Sequence, residues 1–290
     1  MTDQRRPPPG AGERDAMPSA QRTYFTRPAA LRLASPRTGA DNGGRGASSQ
    51  FVPVIEEAAV RQTNLTGEPA EYISAREELR QAEIELMQHS ERVAGLRRRL
   101  PQGPVVDDYA FEEGSADLHA DDAPVRTVRL SELFTGPGRD LIVYHLMYGK
   151  QQTQPCPMCT MWLDGFNGIA HHVAQNIDLA VVAAAGLPAL RAHARDRQWT
   201  NLRLLSAGSS TFKYDFGSED AEGNQDSTVS VFTRDSDGSV RHFYSVHPRM
   251  SEDIDQRGID LLSPVWQILD LTRRGREDWF PALSYNPARP

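Results

Sequence analysis

Between Pro69 and Pro101 the apolar or small positions Tyr72, Ala75, Leu79, Ala82, Leu86, His89, Val93, Leu96 and Leu100 alternate by three and four. That spacing is the seam of a long helix. Glu71, Glu77 and Glu78 near its start and Arg97, Arg98 and Arg99 near its end suit the helix dipole. Two uses of the seam are open. A single helix could lay it on the chain's own core, or two copies could pair through residues 69–101 as a coiled-coil homodimer. The two Ala and one His in the seam favour the first, because strong coiled coils fill those positions with larger aliphatics.

From Val125 onward short apolar runs alternate with amphipathic stretches. Val125 to Leu130 reads as a strand and Leu141-Ile-Val-Tyr-His-Leu-Met-Tyr148 as a buried one. Met161 to Ala174 reads as a helix, Leu179 to Ala184 as another buried strand, and Pro188 to Gln198 as a helix opened by proline. Arg203 to Leu205 fits a short strand. Thr228 to Thr233 and Val240 to Ser245 form a hairpin around Asp235-Ser-Asp-Gly238, and Ile259 to Leu271 closes the region as a helix despite Pro264. The order β-α-β then β-β-α implies a thioredoxin-like α/β fold of peroxiredoxin type, a mixed sheet flanked by helices.

Residues 1–50 are dense in Pro, Gly, Ser, Ala and Arg and have neither period, so they are expected to be a disordered leader. The chain then divides into that leader, an extension over 51–104 carrying the long helix, and a thioredoxin-like domain over 105–290. No run approaches the roughly 18 apolar residues of a membrane span, and the basic start lacks the apolar run of a secretory signal. A cytoplasmic protein without membrane contact is expected. The net charge of −7, with 32 basic residues spread along the chain, argues against a nucleic-acid-binding body. Almost all of those basic residues are Arg; Lys stands only at Lys150 and Lys213, which reads as compositional bias.

The chain has two cysteines, three positions apart, so a structural disulfide would close only a tiny loop. Cys156-Pro157-Met158-Cys159 follows a buried strand and opens a helix. A cysteine there faces unpaired N–H groups and the positive end of the dipole, which favour thiolate. Cys156 is the expected nucleophile, and Cys159, one turn deeper, the resolving thiol. Pro157 fits the first helical position, where its missing N–H costs nothing. A zinc site is the rival use of such a pair, but His171 and His172 point about 100° apart on a helix; no metal or cofactor is expected. Burial of inert cysteines is the other rival, and the polar loop Gly149 to Pro155 argues against it. Thr153 and Cys156 together match the Thr-x-x-Cys half of a peroxiredoxin site, which keeps peroxide reduction through a sulfenic acid open. Trp162 is placed either to line the site or to fill the core.

These residues resemble the bacterial thioredoxin-like family grouped as domain of unknown function 899, predicted dithiol–disulfide oxidoreductases, over about Glu71 to Arg276. The resemblance is carried by Arg97-Arg-Arg-Leu-Pro101, Asp107-Asp-Tyr-Ala-Phe111, Leu130-Ser-Glu-Leu-Phe134, Leu141 to Tyr148 and Cys156-Pro-Met-Cys-Thr-Met-Trp162. Asp164-Gly-Phe-Asn-Gly168, Tyr214-Asp215-Phe216, Val229-Ser-Val-Phe232 and Leu269-Asp-Leu-Thr272 extend it. It implies a redox role with a disulfide or peroxide substrate and an external electron donor. Gln154-Pro155 replaces the tryptophan that usually precedes a thioredoxin dithiol, and Thr228 stands where a cis proline would shape the substrate groove. A non-catalytic thioredoxin-like module that binds or senses redox state is the alternative.

Overall fold

The computed structural model describes residues 65–251 and 262–285. The expected leader, and the extension as far as residue 64, lie outside the described residues. The first helix, α1, spans Ala70–Arg98, matching the seam closely. Its seam is not laid on the protein's own core: Tyr72, Leu79, Leu86 and Leu96 are all exposed, Leu86 at 65%. Only the C-terminal end is engaged, where Gly95 is buried and the Arg97 guanidinium lies over the Tyr244 ring. Heptad spacing specifies a stripe but not the surface that covers it, and here the core is closed without the helix.

The core is one seven-stranded sheet in the order β2-β1-β5-β4-β3-β6-β7. Its strands are β1 (Ala110–Glu113), β2 (Arg126–Arg129), β3 (Leu141–Leu146), β4 (Asp178–Ala183), β5 (Arg203–Ser206), β6 (Thr228–Arg234) and β7 (Val240–Val246). β3, β4 and β5 are mutually parallel, and the remaining pairings are antiparallel. Each parallel step is bridged by a helix, α2 (Pro157–Val173) and α3 (Leu187–Arg197). Since β3, β4 and β5 step in one direction, right-handed crossovers put both helices on one face. The short α5 (Pro264–Asp270) adds Trp266 to that face. The other face is covered by a 3-10 turn over Leu130–Leu133 and by α4 (Phe212–Asp215), whose Phe212 is fully buried. This is the thioredoxin-like, peroxiredoxin-type arrangement expected from the element order.

Local chemistry explains most boundaries. β3 and β4 are apolar almost throughout, as interior parallel strands buried on both faces must be. Pro157, Pro188 and Pro264 each stand in the first turn of a helix. For α5 this overturns the start expected at Ile259: the helix begins at Pro264, and residues 259–261 lie outside the described residues. α2 begins four residues before the expected Met161, because Pro157 starts it. Gly238, at φ +92°, closes the β6–β7 hairpin with its N–H donating to the Asp235 carbonyl. β1 escaped the sequence reading because one of its two inward positions is Glu113, a carboxylate held inside by Arg126 and Arg203, which hides the alternation. Among the described residues no helix is long and apolar enough to cross a membrane.

One glycine sets how the loop after β3 lies. Gly149 has φ +106°, and a Cβ there would stand 2.1 Å from the Ala185 nitrogen and 2.3 Å from the Ala184 carbonyl carbon. Gly149→Ala therefore combines left-handed strain with a backbone clash, for a loss of about 3 kcal/mol or more. In a domain of this size the melting temperature should fall by roughly 6–12 °C; calorimetry showing an unchanged transition would contradict the packing.

Candidate active site: the Cys156–Cys159 dithiol

The site is assembled where the C-terminal end of β3 meets the N-terminus of α2. After Leu146 the chain turns back on itself, with Gly149 and Gln152 exchanging two backbone hydrogen bonds of 2.7 and 3.0 Å. The Tyr148 carbonyl accepts from the Ala185 N–H at 2.8 Å, tying the loop to the end of β4. The Met147 carbonyl then accepts from the Cys156 N–H at 3.0 Å. These bonds fix the first cysteine against the sheet before the helix starts.

Cys156 is the N-cap of α2, with φ −66° and ψ 125°, and its carbonyl accepts the first helical bond, from the Thr160 N–H. Pro157 follows at the first helical position, as expected. The sulfur makes no capping hydrogen bond, but the next amides, on Met158 and Cys159, favour its thiolate. Cys159 stands one turn further in and is wholly buried; Cys156 keeps 8% exposure. Both are free thiols. The loop before them is mostly exposed, with Gln151, Thr153 and Gln154 at the surface, but its polarity does not keep the cysteines out of the interior. The helix start seats both side chains in the main apolar cluster with Tyr144, Met158, Trp162 and Leu163.

The two sulfurs have opposite electrostatics. The Cys159 side chain, hydrogen-bonded to Cys156, lowers the Cys156 thiol to about 7, with help from the Cys159 and Met158 amides and against the cost of burial. Burial, followed by its bond to Cys156, pushes Cys159 well above the ordinary thiol value, while the Tyr144 hydroxyl and the Met147 amide oppose the rise. The Tyr144 hydroxyl is fully buried with no hydrogen-bond partner among the described residues, and it interacts electrostatically with this sulfur. One anion is therefore favoured on the pair, and it resides on the outer cysteine.

The other expected residues are distributed around this centre. Trp162 is a core residue, 1% exposed and edge-on to Tyr144 at 6.2 Å, instead of a surface lining. Thr153 is exposed, and its hydroxyl makes no hydrogen bond among the described residues. Thr228 opens β6 fully buried, registered opposite His145 of β3, and its hydroxyl bonds His247 Nδ1 at 3.0 Å. His171 and His172 are both exposed. No group of three or more His, Cys, Asp or Glu among the described residues is placed to hold a metal ion.

Two charged residues that the sequence reading passed over lie beside the dithiol. Asp226, just before β6, bears on Cys156 through its charge, and its carboxylate is met by Arg249 at 3.3 Å. Lys213 of α4 is 1% exposed, and its ammonium donates to the Leu146 carbonyl at 3.3 Å. The signal was present in the composition: only two of the 32 basic residues are Lys.

The family model described as "Bacterial protein of unknown function (DUF899)" matches residues 61–286. No curated protein matches the chain. Solved structures that resemble it include one from Burkholderia cenocepacia provisionally described as a thioredoxin reductase, at 17% identity and TM-score 0.39, covering 55% of this chain and 95% of that one. Mycobacterium bovis AhpC has 15% identity and TM-score 0.39 over 62% and 98% of the respective chains. Oxidized Prx3 from Vibrio vulnificus has 15% identity and TM-score 0.36 over 49% and 88%.

The unequal thiols give a direct test. Alkylation of Cys156 by iodoacetamide should rise with pH around a midpoint of about 7, because only the thiolate reacts and protonation removes it below that pH. Cys159 should remain unlabelled until the protein is denatured. Peptide mapping by mass spectrometry reads both; equal labelling, or a midpoint at the ordinary thiol value of about 8.5, would contradict the geometry.

Proposed function

The chain belongs to the bacterial family of unknown function DUF899, and from that premise we propose that it is a thiol–disulfide oxidoreductase working through Cys156 and Cys159. The observation that carries the reading is the position of Cys156: it is the N-cap residue of α2, its thiol is lowered to about 7 chiefly by the Cys159 side chain, and that second thiol is fully buried one turn on. A structural cysteine has no need of that arrangement.

The chemistry runs in two displacements. The Cys156 thiolate attacks one sulfur of a substrate disulfide; a Cys156–substrate disulfide forms, and the other half of the substrate leaves as a thiolate that takes a proton. Cys159 then loses its proton and attacks the Cys156 sulfur. The intramolecular disulfide forms, the second substrate thiol departs, and the proton given up by Cys159 ends on it. Two electrons pass from the dithiol to the substrate, and a separate thiol or dithiol donor restores the starting state. No cofactor is required for either displacement.

The deeper burial of Cys159 supports this order of events. An incoming disulfide meets Cys156, the less deeply buried of the two, whereas Cys159, at 0% exposure, can reach only a sulfur already attached there. A peroxide could enter at the same point and oxidise Cys156 to a sulfenic acid, which Cys159 would resolve with loss of water. The exposed, unengaged Thr153 gives that substrate less support than a disulfide.

The deciding experiment is the reduction potential of the pair, obtained by counting alkylated thiols across a dithiothreitol redox series. A value between roughly −120 and −270 mV, the span of exchange proteins, is expected. Cys156→Ser should abolish reduction of a small-molecule disulfide, and Cys159→Ser should trap the substrate on Cys156. A pair that forms no bridge, with Cys156→Ser protein as active as the parent, would overturn the assignment in favour of a non-catalytic module.

A further inference from the structure

A lysine ammonium enclosed by protein is costly unless something nearby makes use of its charge. Lys213 is 1% exposed, and the bond to the Leu146 carbonyl at 3.3 Å is the only hydrogen bond its side chain makes among the described residues. Three donors share one acceptor, so the site was not built merely to hold an ammonium. Leu146 and Cys159 lie in the same buried cluster, and the Met147 N–H of the same peptide unit favours the Cys159 thiolate. The buried cation and the buried thiol thus both bear on one amide at the end of β3.

We propose that Lys213 is a positioning residue for the dithiol, its buried positive charge stabilising the Cys159 thiolate that forms when the mixed disulfide on Cys156 is resolved. The inference rests on the oxidoreductase reading of the same site and adds a group to it. In the resolving step Cys159 carries a negative charge before the new sulfur–sulfur bond forms, and in an apolar cluster that charge has no water to receive it. The ammonium offsets it directly, and by polarising the Leu146–Met147 amide it makes the Met147 N–H a better donor to the sulfur. Lys213 neither gains nor loses a proton in the step; the proton of Cys159 leaves with the product thiol.

The electrostatics agree with the placement. Burial lowers Lys213 to about 8, and among its neighbours Cys159 is the foremost group restoring its charge, followed by Glu219 and Asp226, while Lys150 acts the other way. Lys150 is itself paired with Glu219. His145, behind β3, is held neutral by burial and by the charge of Lys213. The influence is recorded on the lysine more than on the cysteine, which burial and Cys156 dominate. The choice of residue is informative in a chain whose other basic positions, Lys150 apart, are Arg. A compact ammonium on an unbranched stem reaches a single carbonyl from inside the core; a planar five-donor guanidinium needs several acceptors.

The test reads the resolving step alone. A mixed disulfide is formed chemically on Cys156 with a small aromatic disulfide reagent, and release of the second thiol is followed as a function of pH, with Lys213 present and with Lys213→Met. With Lys213 the rate should gain less with pH above about 8, where the ammonium loses its charge, whereas the Lys213→Met rate should start lower at neutral pH and rise with the thiolate fraction alone. With both cysteines present, resolution of a mixed disulfide on Cys156 should slow about three- to tenfold, since the less acidic thiolate is also more nucleophilic. The first attack by Cys156 should keep its rate, and thermal stability should not fall, because exchanging a buried charge for an apolar side chain of similar volume is neutral or stabilising. Lys213→Gln retains a donor to Leu146 without the charge and should behave as Lys213→Met; it also serves should the Met variant not fold. An unchanged resolving rate and pH profile in both variants overturns the inference. A slowed resolving step with a changed pH profile supports it even where a chosen disulfide is not reduced, because the mixed disulfide is formed chemically, so failure of the oxidoreductase reading is seen separately.

Discussion

Everything specific to the site depends on where the first turn of α2 leaves its unpaired amides. A helix start carries N–H groups that no carbonyl inside the helix can satisfy. In this protein two of them, on Met158 and Cys159, favour the Cys156 thiolate. Proline at the first helical position removes one donor that would otherwise compete, and the Met147 carbonyl takes the N–H of Cys156 itself. The remaining amides are left to favour an anion at the helix start. An anion there satisfies the helix, and the helix in turn favours the anion.

That arrangement needs the sheet behind it. Cys159 acquires its character from burial between α2 and β3, and the depth of burial follows from the apolar side chains that β3 and β4 direct to that face: Tyr144, Leu146, Val181 and Ala183. The same burial that raises Cys159 leaves the anion to Cys156, so the two thiols diverge although the chain presents them nearly alike. The loop between β3 and α2 must return sharply for the helix to begin at the strand's end. Gly149 supplies the turn, lying so close to Ala184 and Ala185 that no side chain fits.

The opposite face is a polar interior of another kind. His145 bonds Ser218 at 2.6 Å and Ser230 at 3.1 Å, Ser230 bonds Ser245 at 2.9 Å, and Ser245 bonds His242 at 2.8 Å. His145 also stacks on Phe212 with rings 6° from parallel. The network accounts for its own buried polar atoms and fixes α4 relative to β3 and β6, as satisfied networks do. By holding α4, it also holds Lys213 against the end of β3, from which the chain runs on to the dithiol. The two faces are thereby linked across β3.

Much of this was legible in the chain itself. Periodicity located α1 and the interior strands because apolar spacing is a local property, and the proline in Cys156-Pro157-Met158-Cys159 announced a helix start and hence the order of the two thiols. Other features were settled only by the tertiary structure, for a physical reason in each case. The seam of α1 stays exposed because spacing carries no information about what covers a stripe. β1 hid its alternation because Glu113 occupies an inward position, and it is a strand only because β2 and β5 lie beside it. Trp162 belongs to the core because helix phase against Tyr144 decides it, and Thr153 lies exposed while Cys156 is buried, although its spacing from Cys156 suggested a shared site. Lys213 lies 54 positions beyond Cys159 in the chain; only the fold brings its charge to the dithiol, since burial and electrostatic proximity are properties of three-dimensional packing and not of neighbouring residues.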